Sequence, residues 1–214
     1  MDFLKKYKLL NLDQELIETA LTHSSYSNEH GGKDYERLEY LGDAVLQLII
    51  SEYYYLTANI DEGEMSKQRA SYVCESALVE YAKLFNLKDL IKTGEGQKNN
   101  IGSAIIADVF EALVGAIYLS SGFKQTKHFI YQIIIPYIEK GHHFFDDYKS
   151  VLQEMVQTSK NSLEYVVVSE QGPSHDRMFT VEVRIDNIVY GIGKGKTKKD
   201  AEQQAAFAAY QKRA

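Results

Sequence analysis

Between Ile101 and Leu119 the chain is apolar on nearly every side and carries charge at two positions, Asp108 and Glu111. A helix of that composition belongs at the centre of a domain, and residues three apart on a helix share a face. Two carboxylates are therefore expected where an unpartnered charge is costly. No lysine or arginine lies in the same stretch to pair with them. Acids in the middle of the run also argue against a membrane-spanning helix. Either a cation holds them, or one of Arg37, Lys67 and Arg69 reaches in from elsewhere as an ion pair.

A second acidic row lies in residues 35–46. At ~100° per residue, Glu36, Glu39 and Asp43 fall on one helical face, while Leu38, Leu41, Val45 and Leu48 gather on the other. The acidic row continues as Leu46, Ile50 and Tyr53, so like charges that repel one another extend a seam that turns apolar. Gly42 inside this helix costs on the order of 1 kcal/mol against alanine, and it permits close approach of another helix or a metal. Glu39, Asp43, Asp108 and Glu111 together make a hard oxygen set, which suits Mg²⁺, with Mn²⁺ as a substitute, and not zinc. Such an ion generates the attacking water nucleophile and stabilises charge on a leaving oxygen. Glu36 and one of Glu62 or Glu64 are candidates for outer ligands or for orienting water.

Around these rows the pattern is helical throughout residues 1–140, an all-α domain. Helices are expected over 13–22, capped by Asp13, then 35–57, from 61–66 onward, 75–85, 101–119 and 123–139, with polar loops at 27–33 and 93–100. His23 closes the first helix and is read as structural. Residues 141–147 form a linker, in which His142 and His143 lack convergent partners for a metal. After it the period changes. A helix at 148–158 precedes a β-branched strand at 163–169. Residues 179–185 then alternate strictly, Asp186-Asn187 makes a tight turn, and 188–193 completes a hairpin before a final helix at 198–212. Residues 148–214 are therefore a small α+β domain of order α-β-β-β-α.

The net charge of −6 is unevenly divided: residues 148–214 carry ten basic against eight acidic side chains, and residues 1–147 fourteen against twenty-two. Such asymmetry points to two domains with different partners. Lys194, Lys196, Lys198 and Lys199 stand at the start of the last helix, where amino groups and helix N-terminus both face anions. With the loop Gly172-Pro173-Ser174-His175 and no aromatic stacking platform, recognition of a duplex by shape is favoured over single-strand binding. Cys74 is the single cysteine, so no intrachain disulfide is possible, and the first residues lack the apolar core of a signal peptide. A cytoplasmic protein without a membrane partner is expected.

Several stretches resemble one family. Glu36-Arg37-Leu38-Glu39-Tyr40-Leu41-Gly42-Asp43-Ala44-Val45-Leu46 is similar to the signature of ribonuclease III. Ala20-Leu21-Thr22-His23-Ser24-Ser25-Tyr26, Asp61-Glu62-Gly63 and Ala107-Asp108-Val109-Phe110-Glu111-Ala112-Leu113-Val114-Gly115-Ala116-Ile117-Tyr118 resemble further blocks of it. Residues 148–212 look like its double-stranded RNA-binding domain. The resemblance implies a homodimeric, Mg²⁺-dependent endoribonuclease that cuts both strands of a duplex, in rRNA and mRNA processing, leaving 5′-phosphate and 3′-hydroxyl ends. It implies Glu39, Asp43, Asp108 and Glu111 as metal ligands, with Asp43, Glu111, Glu36 and Glu62 as the catalytic acids. Glu36 becomes the outer acid, and Glu62 rather than Glu64 the acid before the glycine. Ser150, Gln153, Glu154 and His175 become groove contacts, and Lys196, Lys198 and Lys199 phosphate contacts. Tyr40 stands where phenylalanine is frequent, and Ser120 where an acid is common. The alternative is a dimeric regulator that holds duplexes without cutting, but such a relative would be expected to have lost an acid, and none is lost.

Overall fold

The computed structural model describes residues 6–9, 12–98, 100–142, 144, 148–158, 161–173 and 177–213. The chain divides into two compact units, Met1–Phe144 and Phe145–Ala214.

The first unit is built from helices. α1 (Gln14–Ala20) starts where the Asp13 carboxylate accepts from the backbone N–H groups of Glu15 and Leu16, satisfying two donors that a helix start leaves open. α2 (Ser24–His30) follows, capped by the His23 imidazole, which accepts from Ser25 N–H at 3.1 Å. α2 occupies residues where a polar loop was expected from 27 onward. It has no apolar stripe, and is held instead by its cap and by the Tyr26 and His30 rings, stacked one turn apart at 4.2 Å. α3 (Glu36–Thr57), α4 (Glu62–Tyr72), α5 (Glu75–Lys83) and a 3-10 turn at Leu87–Leu90 come next. α4 is capped by Asp61, whose carboxylate accepts from Glu64 N–H at 2.9 Å.

α6 (Ser103–Glu139) comprises two helical segments joined across a kink at Gly122, where φ is +75°, at the position where the sequence divides it into 101–119 and 123–139. Only glycine adopts that conformation without strain. By length and composition α6 could cross a membrane, but half of its most apolar window is buried inside the domain. Phe110, Leu113 and Ile117 of α6 and Leu46, Ile49 and Ile50 of α3 are fully buried. They form the centre of a core joined by Ile17 and Ala20 of α1 and by Leu78 and Tyr81 of α5. A Cβ on Gly42 would overlap the backbone carbonyl of Glu111, and one on Gly115 would overlap that of Leu38. α3 and α6 therefore cross with main chain against main chain.

Phe144 belongs to this unit. Its ring packs against Tyr72, Tyr81, Tyr137 and His142, and its carbonyl accepts from the Ser76 hydroxyl at 2.7 Å.

The second unit contains α7 (Tyr148–Thr158), β1 (Leu163–Gln171), β2 (Met178–Ile185), β3 (Ile188–Gly195) and α8 (Lys198–Arg213). The strands form one antiparallel sheet in the order β1-β2-β3. Asp186 and Asn187 at the β2–β3 turn both have positive φ, 49° and 66°, as a two-residue hairpin requires. Alternation on β2 turns Phe179, Val181, Val183 and Ile185 inward, onto Ala201, Ala205, Ala206 and Ala209 of α8 and onto Leu152 and Val156 of α7. Small residues on α8 bring the helix directly onto β3: a Cβ on Gly193 would overlap the backbone of Ala201 and Ala205.

Candidate metal centre and duplex interface

The α3–α6 crossing decides which carboxylates meet. Glu39 lies one turn before Gly42 on α3, and Asp108 and Glu111 one to two turns before Gly115 on α6. With no side chain between the two main chains, oxygens from Glu39, Asp108 and Glu111 come within 4.8 Å of one another. All three residues are half-buried. Burial raises each of them, helped by repulsion from neighbouring acids. Glu111 is pushed up to about 8, first by desolvation and then by Asp43, Glu39 and Asp108. Glu39 is raised by desolvation, then by Asp108, Glu36 and Asp43. Asp108 is raised by desolvation, partly offset by a hydrogen bond from Tyr35.

Among the described residues, those that shift Asp108 and Glu111 are acids, Tyr35 and His23, and none is a lysine or arginine. Arg69, one of the expected ion-pair partners, donates to the Ser51 hydroxyl at 3.2 Å instead. Three converging carboxylates with neither histidine nor thiolate among them are a donor set for a hard divalent cation.

The other expected site residues are placed differently. Asp43 is close enough to be the strongest acidic influence on Glu111, but its carboxylate accepts from Gln47 Nε2 at 2.8 Å and lies outside the three-residue cluster. Glu36 is exposed at the start of α3 and acts on Glu39 through charge alone. Glu62 accepts from the Ser66 hydroxyl at 3.0 Å and lines a cleft of about 240 Å³ with Ser51, Tyr54, Tyr55, Met65, Ser66 and Arg69. It is not part of the carboxylate cluster. His23 caps α2 and packs against the Tyr35 ring at 5.7 Å, the structural role expected of it.

Two residues of the site were not anticipated. Tyr35, just before α3, is 5% exposed, and its hydroxyl donates to Asp108 Oδ2 at 3.1 Å across 73 positions of sequence. Burial and the surrounding acids push its phenol well above the usual range, so it stays a donor. Gln47 is one helical turn from Asp43, and that i,i+4 spacing was the available signal. For Tyr35 no local signal existed.

In the second unit, Lys196, Lys198 and Lys199 are exposed around the start of α8, where Thr197 caps the helix by accepting from Asp200 N–H at 3.1 Å. The Lys198 ammonium lies 5.8 Å from the centre of the Phe179 ring. Gln153 is exposed on α7, where Ser150 and Glu154 also lie. The side chains of Ser150 and Glu154, and the whole of His175, fall outside the described residues. α7 is tied to α8 by an ion pair between Lys149 and Glu202 and by Lys149 N–H donating to Gln203.

Residues 13–138 match the family model described as Ribonuclease-III-like, and residues 148–213 the double-stranded RNA binding motif. The chain belongs to the ribonuclease III family. It is 45% identical over 201 residues to a Ribonuclease 3 of Aster yellows witches'-broom phytoplasma, a match covering 92% of this chain and 84% of that protein. It is 43% identical over 220 residues to Ribonuclease 3 of Bacillus cereus, covering 98% and 89%. Among solved structures, a nuclease domain of ribonuclease III from Campylobacter jejuni superposes with a TM-score of 0.57 at 35% identity, over 62% of this chain and 94% of that one. The ribonuclease III chain described here is thus an endoribonuclease acting on double-stranded RNA, with the acidic cluster in its nuclease domain and the lysine-bearing module following it.

Proposed function

We propose that this ribonuclease III hydrolyses duplex RNA with Mg²⁺ held by Glu39, Asp108 and Glu111, leaving 5′-phosphate and 3′-hydroxyl ends. The convergence of three half-buried carboxylates, with no lysine or arginine among the described residues that shift Asp108 and Glu111, carries the proposal. Bound there, Mg²⁺, or Mn²⁺ in its place, supplies a more acidic water and charge neutralisation at the leaving oxygen. The chain's own groups do the remainder. Glu39, Asp108 and Glu111 offer oxygens fixed by the α3–α6 crossing. Asp43, steadied by Gln47, adds negative charge beside Glu111 and is a catalytic candidate for orienting water. Glu36 serves as an outer acid. Glu62, on α4, is assigned the same outer role, and the resemblance alone supports this. Lys196, Lys198 and Lys199 hold phosphates, with Ser150, Gln153, Glu154 and His175 as groove contacts.

Cutting both strands requires two such sites, so the working form is read as a homodimer. An unusually exposed apolar row on α3 supports this: Tyr40 is 82% exposed, Leu48 56% and Tyr55 76%. Such rows mark interaction surfaces. Precursor ribosomal RNA and messenger RNA are the proposed substrates, in a reducing cytoplasm that a lone Cys74 would suit.

Incubating the purified full chain with long duplex RNA, with and without Mg²⁺, tests the proposal. Short duplexes carrying 5′-phosphate ends are expected with Mg²⁺ only. Intact RNA under both conditions would leave a duplex-holding protein and overturn the assigned chemistry.

A further inference from the structure

We infer that Tyr35 is a positioning residue for the proposed metal centre: its phenol fixes the orientation in which Asp108 presents an oxygen to a divalent cation. The inference rests on the metal reading of the carboxylate cluster and adds to it a group that touches no ligand-binding atom except through Asp108.

The geometry is that of a rigid brace. Tyr35 N–H donates to the Thr22 carbonyl at 2.9 Å, and the Tyr35 carbonyl accepts from Leu38 and Glu39 N–H at 2.8 and 2.9 Å. The main chain is thus fixed on both sides, at the first turn of the helix that bears Glu39. The ring is buried and lies against His23. A phenylalanine would satisfy this packing. The hydroxyl adds one thing, its hydrogen bond to Asp108 Oδ2 at 3.1 Å. An ionised carboxylate has about four lone-pair sites, so the bond leaves acceptor capacity while removing rotational freedom. It also couples the two helices: the residue that opens α3 orients an acid of α6, so that Glu39 and Asp108 are set by one local structure. Outer contacts of this kind typically change metal affinity by about 10- to 100-fold.

The test uses the full chain and Mn²⁺ as the probe, read by electron paramagnetic resonance and calorimetric titration. Tyr35→Phe is expected to weaken Mn²⁺ binding about tenfold and to alter the Mn²⁺ spectrum, while duplex affinity in chelator stays unchanged. Cleavage by Tyr35→Phe should need proportionately more Mn²⁺ and recover as the ion is raised, with the KM for RNA unaltered. Wild-type affinity and spectrum in Tyr35→Phe would overturn the brace while leaving the metal centre standing, provided Glu111→Gln abolishes binding. If wild-type protein binds no Mn²⁺ at the cluster, the metal reading itself fails. Should Tyr35→Phe prove unstable, Tyr35→Trp, which keeps a ring and an N–H donor but offers no lone pair to a cation, is compared with Tyr35→Leu. Affinity retained in Tyr35→Trp relative to Tyr35→Leu supports the hydrogen bond's role, and equal losses in both oppose it.

Discussion

Gly42 of α3 and Gly115 of α6 sit against one another so closely that neither can carry a side chain without displacing the opposite helix. The crossing point therefore doubles as the gauge of the site. Replacing Gly42 by alanine pushes the methyl group into the Glu111 carbonyl, and overpacking of this kind costs about 1–3 kcal/mol or more. The expected result is a melting temperature lower by several degrees and cleavage reduced at least a hundredfold. Duplex binding by the second unit should persist, as gel-shift measurements can verify. Normal cleavage by Gly42→Ala would show that the spacing of the acids is not set here.

Replacing Glu111 by glutamine should abolish cleavage and spare RNA binding. The same change reveals the electrostatic strain of the site. Glu111 titrates at about 8 in the folded protein against an ordinary 4.5. An acid raised on folding holds its proton more tightly when folded, so its favourable contribution is complete below the ordinary value and is lost as pH rises through 8. Without divalent metal, wild-type stability should fall between pH 5 and 8, and Glu111→Gln should flatten that fall. Allowing for solvent screening of a half-buried group, the difference near pH 8 is about 1–2 kcal/mol. Melting curves in chelator across that range measure it, and parallel curves for the two proteins would contradict the assignment.

Loading the cluster should release protons. Glu111 is substantially protonated at neutral pH before metal arrives, and a metal ligand must be deprotonated. Calorimetric titration of Mg²⁺ at pH 7 in two buffers of different ionisation heat should report net proton release, diminishing toward pH 9. Saturating metal should raise the melting temperature by mass action. Binding without proton release would place the ion elsewhere.

Changing Lys196, Lys198 and Lys199 together to alanine removes three candidate phosphate contacts near the α8 start. Duplex affinity should drop, and the slope of log affinity against log salt should become shallower by about 2 to 3. The rate at saturating RNA should remain near wild type. An unchanged slope would reduce these lysines to a solvated surface.

Introducing aspartate at Leu48, on the exposed row with Tyr40 and Tyr55, should convert a sedimenting dimer to monomer with little loss of helical signal. If wild-type protein sediments as a monomer at micromolar concentration, the exposed row has another use.

Much of this was legible in local pattern. Phe179 to Ile185 alternate and do form β2, and Asp186-Asn187 do take the left-handed conformations of a hairpin turn. The isolation of Asp108 and Glu111 in an apolar run marked them as acids withdrawn from solvent, and the fold leaves both half-buried. What escaped was non-local. α2 has no apolar period because its cap and one ring stack hold it. Tyr35 and Asp108 are joined only by the fold. Helical phase put Asp43 on the acidic row, where it acts on Glu111 by charge, and phase alone does not show the hydrogen bond its carboxylate accepts from Gln47. Likewise, the polar and aromatic run from Gly141 reads as linker, whereas Phe144 is buried by aromatic rings scattered from Tyr72 to Tyr137.

The raised acids have an evolutionary reading as well. In this fold, glutamine or leucine at position 111 would relieve repulsion at the heart of the nuclease domain, so drift under selection for stability alone would erode the cluster first. A lineage that needed only to grip duplexes would be expected to shed these carboxylates and become hardier. Keeping Glu39, Asp108 and Glu111 together, at standing expense to the empty protein, is a signature of continuing use.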